Sequence, residues 1–136
     1  MNEVWELWRP QGQSINQSYI LSTTDDHQGF TITLSNNKLK KQHAVAINFY
    51  NGADSYTFLQ GPFIEKLRAH LMQKYGESFF RESSCFKIYN SLYLEWATTQ
   101  SYTMIKLPHA QHFCIFTHTL VVHLIAPYEP SIKFFE

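Results

Sequence analysis

Charge is scarce in this chain: Asp, Glu, Lys and Arg supply 16% of its 136 residues, against the ~25% of ordinary soluble domains. Its 11 basic residues match its 11 acidic ones, so no net field recommends nucleic acid or an anionic membrane as partner. The basic cluster Lys38, Lys40 and Lys41 reads as a solvated loop that keeps a sheet edge from pairing. Apolar runs are short, none approaching the ~18 residues of a membrane span. Residues 1–9 mix Glu3, Glu6 and Arg9 among apolar positions and form no signal-peptide core, so the expected compartment is the cytoplasm. Cys85 and Cys114 lack C-x-x-C spacing, and without an export signal both are expected reduced and buried. The five glycines form no phosphate-binding loop, and no G-x-S-x-G elbow marks a nucleophilic serine. Carboxylates that could pair for hydrolysis are scattered singly at Glu65, Glu82, Glu95 and Glu129. No cofactor is expected.

Aromatic residues are what the chain has in plenty, at 16% of positions. Each buries ~150–250 Å², so a core forms here without metals or disulfides. With no repeat, linker or low-complexity stretch, residues 1–136 read as a single domain.

Residues 4–9 and 17–23 read as strands, the first turning at Gln11-Gly12-Gln13, the second followed by a loop at Asp25-Asp26-His27-Gln28-Gly29. Phe30, Ile32 and Leu34 alternate with threonines, as in a half-buried strand. Val45, Ile47 and Phe49 repeat the pattern, and Tyr56 and Phe58 resume it beyond Asn51-Gly52. That dipeptide suits a type I′ turn, which predicts a hairpin pairing residues 44–50 with 53–59 and a meander across residues 3–59. Pro62 opens a helix over 62–75 that Gly76 closes; Phe63, Ile64, Leu67, Leu71 and Tyr75 recur at helical spacing, with Phe63, Leu67 and Leu71 expected against the sheet and Arg68 outward. Phe86 and Ile88 point inward from a further strand. Residues 91–100 fit a helix capped by Ser91, although Leu92, Leu94 and Trp96 also alternate as in a strand. Strands at 112–118 and 121–126 complete the sheet, with Pro127 and Pro130 ending the ladder. The fold class is therefore α+β: an antiparallel sheet, made of an N-terminal meander plus C-terminal strands, packed with one or two helices.

Seven histidines invite a metal. His112 and His118, however, would lie about 20 Å apart on one strand, far beyond a shared ion. His112 and Cys114 share a strand face, but nothing nearby completes a ligand set, and His109 joins His112 only if that segment is helical. No metal site is expected. Burial silences both thiols by raising their pKa. Tyr89, Tyr93 and Trp96, with Tyr102 nearby, form the densest aromatic patch outside the meander, and such residues dominate binding hot spots.

The run from Phe86 through Asn90-Ser91 to Trp96, then His112–Thr117, then Glu129-Pro130-Ser131-Ile132, resembles the layout of small uncharacterised bacterial proteins. It is similar in style to the immunity proteins of contact-dependent competition systems. The resemblance covers roughly the last third of the chain. It implies a cytoplasmic inhibitor that binds a toxin domain stoichiometrically and performs no chemistry. The neutral charge departs from the acidic balance of a nuclease inhibitor, so the class of toxin stays open. The expectation is a protein-binding module using Tyr89, Tyr93, Trp96 and Tyr102, with no nucleic acid or membrane partner and self-association left open. The alternative is a small enzyme or small-molecule binder whose site, between sheet and helix, uses His112, Cys114 or another histidine.

Overall fold

Two antiparallel sheets and a layer of helices carry the chain, whose structure is a computed structural model describing residues 3–9, 15, 17, 19–35, 43–81, 83–100 and 109–135. In chain order the elements are β1 (Val4–Leu7), β2 (Ile20–Asp26), β3 (Gly29–Ser35), β4 (His43–Phe49), β5 (Ser55–Leu59), α1 (Pro62–Tyr75) and α2 (Glu77–Arg81). There follow β6 (Cys85–Tyr89), α3 (Leu92–Gln100), β7 (Gln111–Phe116), β8 (Val121–Ala126) and β9 (Ser131–Phe134). One sheet has the order β2-β3-β4-β9 and the other β1-β6-β7-β8-β5. The α+β class read from the sequence holds. The lysine cluster at 38–41 and the turn at 11–13 lie outside the described residues.

Period-2 alternation builds the first sheet. Ile32 faces Ile47, Leu34 faces Val45 and Phe30 faces Phe49 across β3 and β4, and all six side chains are buried. They pack with Phe113, Ile115, Val122 and Leu124 from one face of the second sheet, forming the sandwich interior. The β2–β3 turn brings Gly29 against β4, where an added Cβ would stand 2.3 Å from the Phe49 carbonyl oxygen, and φ is +107°. Only glycine fits there. Asp26 caps this turn by accepting the Gln28 amide N–H at 2.8 Å.

The second sheet is covered on both sides, so its central strands β7 and β8 are almost continuously buried. On its outer face Phe86, Cys114, Phe116 and Val121 pack under Ile64 and Leu71 of α1 and Phe80 of α2. The third helix lies over Ile125 through Ala97. Ser91 caps it as the sequence suggests: its Oγ accepts the Leu94 amide N–H at 2.9 Å.

Several expectations are corrected. The Asn51-Gly52 turn exists, with Gly52 at φ +78° donating to the Phe49 carbonyl, but the strands it joins do not pair. Both edges of β4 are taken, by β3 and β9, and β5 crosses to pair with β8 in the other sheet. The Tyr128 hydroxyl fixes the crossing, accepting the Asn51 N–H and donating to the Gly52 carbonyl. Thus the meander is limited to β2–β4, while β1 pairs with β6. After Pro127 and Pro130 the chain does not leave the ladder but returns as β9 beside β4. The described helices number three where one or two are expected, because Glu77–Arg81 adds the short helix α2. Finally, α1 is rotated within its predicted apolar face: Ile64 and Leu71 are buried as that face requires, but Leu67 is only partly buried and Phe63 is exposed. Arg68, predicted outward, lays its guanidinium over the Phe116 ring while pairing with Glu65.

Candidate functional site

Hairpin geometry brings together two histidines that the linear spacing had kept apart. In the β7–β8 register Cys114 faces His123 and His112 faces Ile125, so His112 and His123 are diagonal neighbours on the helix-facing side of the sheet. Their rings lie 5.1 Å apart, and His112 Nε2 is hydrogen-bonded to His123 Nδ1 at 2.9 Å. On its other side His112 Nδ1 meets the Ser91 hydroxyl at 2.6 Å. The result is a hydroxyl–imidazole–imidazole relay anchored at the cap of α3.

Aromatic rings enclose this relay. Tyr93 stands edge-on to both imidazoles, at 5.2 and 6.3 Å, and Trp5 packs edge-on against His123 at 6.1 Å. The Tyr93 hydroxyl is held by Ser55 of β5 at 2.5 Å, which ties α3 to the edge of the sheet. Glu3 completes the frame by accepting the Leu92 amide N–H at the start of α3, where a carboxylate suits the helix dipole.

Burial sets the electrostatics. Desolvation first, and the neighbouring His123 second, hold His112 down to about 3; desolvation alone brings His123 to about 4. Both rings are therefore neutral near pH 7. Each neutral ring is one donor and one acceptor, so the relay has a direction. Either Ser91 donates to His112 and His112 to His123, or every bond runs the opposite way.

Beside the pair opens a cleft of about 330 Å³, roofed by α1 and α3. Trp5, Leu59 and Ile88 supply its sheet side and Phe63 and Leu67 its α1 side, with His112 and His123 at the base. A broader depression of about 560 Å³ follows the Ser91 flank of α3, past Leu94 and Thr98, and includes neither histidine. Ser91 thus sits on the far side of His112 from the cleft. Its oxygen is already committed to the helix cap, and a base held to about 3 is too weak to activate it at neutral pH.

The sequence-predicted binding residues fall unevenly. Tyr93 and Trp96 stack at 6.0 Å between centroids, with Tyr93 half-buried above the relay and Trp96 exposed. Tyr89 is exposed at the end of β6, just before the α3 cap. Tyr102 lies outside the described residues. Cys114 does share the strand face of His112 but is fully buried with Phe86 and Phe116, away from the cleft lining. Cys85 lies on the opposite face, in the sandwich interior. Desolvation pushes the Cys85 thiol up to about 12 and Cys114 well above its ordinary value, as burial requires. His109 and His118 are exposed. Among the described residues no three His, Cys, Asp or Glu side chains converge to hold a metal ion.

His123 is one of the four histidines clustered toward the C-terminal end of the sequence, but its pairing with His112 does not follow from distances along one strand, which compare His112 only with His118. The signal was present: two histidines in successive apolar strands, each spaced to face the same side once the hairpin closes. No helix among the described residues is long and apolar enough to cross a membrane. No protein-family model, curated protein or solved structure matches this chain.

Proposed function

We propose that this chain is a non-catalytic protein-binding module that acts by stoichiometric association through its helical layer. One observation carries the reading. The three most exposed large apolar side chains among the described residues, Phe63 at 69%, Leu92 at 63% and Trp96 at 56%, all belong to α1 and α3. Tyr89 adjoins them at the start of the turn into α3. Isolated exposed apolar residues are ordinary, but a concentration on one layer marks an interaction surface. Trp and Tyr are the side chains that most often carry binding energy. The low charge of the chain agrees, since charged residues are depleted at the centres of interfaces.

A toxin domain inhibited in the cytoplasm is the partner favoured by the resemblance to bacterial immunity proteins. Affinity capture from the native host, followed by sedimentation of the purified pair, tests the reading. The expected complex has a fixed stoichiometry and buries ~1,200–2,000 Å². Trp96→Ala should weaken it by at least ~2 kcal/mol, roughly thirtyfold. Unchanged affinity in both Trp96→Ala and Phe63→Ala would remove the helical layer as the contact surface. A multiple-turnover reaction that His112→Gln abolishes in folded protein would replace the binding reading with a catalytic one.

A further inference from the structure

We propose that the cleft between α1, α3 and the second sheet is a binding site for a small, uncharged, ring-sized ligand bearing one hydroxyl group, which bonds to His123 Nε2. This site does not depend on the protein-binding reading, since it rests on the cleft base and not on the exposed patch. Three features of the structure converge on it.

The first is space of the right kind. A volume of about 330 Å³ with apolar walls from Trp5, Leu59, Leu67 and Ile88 suits a compact hydrophobic body. The second is a placed imidazole nitrogen, beside Thr57, which faces His123 across β5 and β8 and also lines the cleft. Both nitrogens of His112 are engaged, by Ser91 and by His123, and His123 Nδ1 is engaged in turn. His123 Nε2 has no hydrogen-bond partner among the described residues, yet its ring lines the cleft. That atom faces the cleft and is not sealed inside the protein, so a ligand hydroxyl takes the place of water on it and is oriented by the bond as well as held by contact area. The third is reversibility. Reversing the relay turns His123 Nε2 from donor to acceptor while every internal bond is kept, because the Ser91 hydroxyl can donate or accept. A hydroxyl on the ligand has the same dual capacity, so it is matched in either state. An ammonium, which only donates, or a carboxylate, which only accepts, is not.

Charge is selected against by the same surroundings. The site already holds two imidazoles in their neutral form, and an ion placed there would lose its hydration in the same way. Glu3 at the rim disfavours anions further, although its carboxylate is occupied at the α3 N-terminus.

The experiment uses the full chain labelled with ¹⁵N at histidine, titrated separately with p-cresol, toluene, benzoate and benzylamine. The ring-nitrogen resonances of His112 and His123 are followed. The expected result is a saturable shift at His123 Nε2 with p-cresol, toluene binding several-fold more weakly, and the two ions weaker still. Leu67→Trp, which fills the cleft from α1, should abolish the p-cresol-dependent shift while both imidazoles keep the nitrogen resonances of neutral rings. Equal binding of p-cresol and toluene would overturn the polar anchor. Tighter binding of benzylamine or benzoate would overturn the uncharged class. Absence of a saturable shift with p-cresol, or its persistence in folded Leu67→Trp, would overturn the site itself. The comparison of p-cresol with toluene needs no variant, so it decides the matter even if Leu67→Trp does not fold.

Discussion

His112 and His123 tie stability to pH. Both titrate near 6.5 in an unfolded chain and are held to about 3 and about 4 in the folded one. Their folded pKa values are depressed, so the neutral form is the one that folding favours. The stabilisation is complete above about pH 6.5 and is lost as pH falls from there toward the folded values. Within that window each contributes a slope of up to about 1.4 kcal/mol per pH unit. Urea unfolding at about pH 7.5 and about pH 5 should show the wild-type protein weaker at the lower value. A His112→Asn/His123→Asn double variant should show a flatter dependence. Equal slopes in the two proteins would mean that the rings are not buried as neutral groups. Which of the five hydrogen-bonding atoms of the relay face inward cannot be read from spacing along a chain. The alternation that put His112 on a strand face was legible, but its partner depended on the register of the hairpin.

Among the elements, period and punctuation were enough to place most strands and both longer helices. Pro62 and Gly76 bounded α1, and Ser91 bounded α3, because caps act through local backbone geometry. Edge pairing was a different matter. Val45, Ile47 and Phe49 share a face as alternation requires, yet alternation says nothing about which neighbour lies along each edge. The same limit applies to Ser131–Phe134, a strand of four residues behind two prolines that closes the first sheet from the far end of the chain. The rotation of α1 also has a physical origin. Leu67 overlooks the cleft instead of the densest packing, and Arg68 turns its guanidinium onto the Phe116 ring. Leu71→Ala should therefore cost ~2–5 kcal/mol, as for an emptied core site, while Leu67→Ala costs clearly less. Chemical denaturation of the two variants checks the order. A larger loss at Leu67 would restore the helix face that the sequence suggested.

At the scale of the whole molecule, the second sheet is a wall between two interiors. Cys85 lies on the sandwich side with Phe113 and Ile115, and Cys114 lies on the helix side with Phe86 and Phe116. Both thiols are free, buried and raised in pKa, so neither should react with Ellman's reagent in the native state near neutral pH, and both should react in denaturant. A native thiol that reacts at the rate of a free one would contradict that burial. The placement also equips the fold with one chemical clock per compartment. In a Cys114→Ala variant, labelling of Cys85 times the parting of the two sheets; in Cys85→Ala, labelling of Cys114 times the lifting of the helices. If the helical layer opens more often than the sandwich, Cys114 will be captured first, and the ratio of the two rates will measure how independently the surface offered to partners can move from the scaffold beneath it.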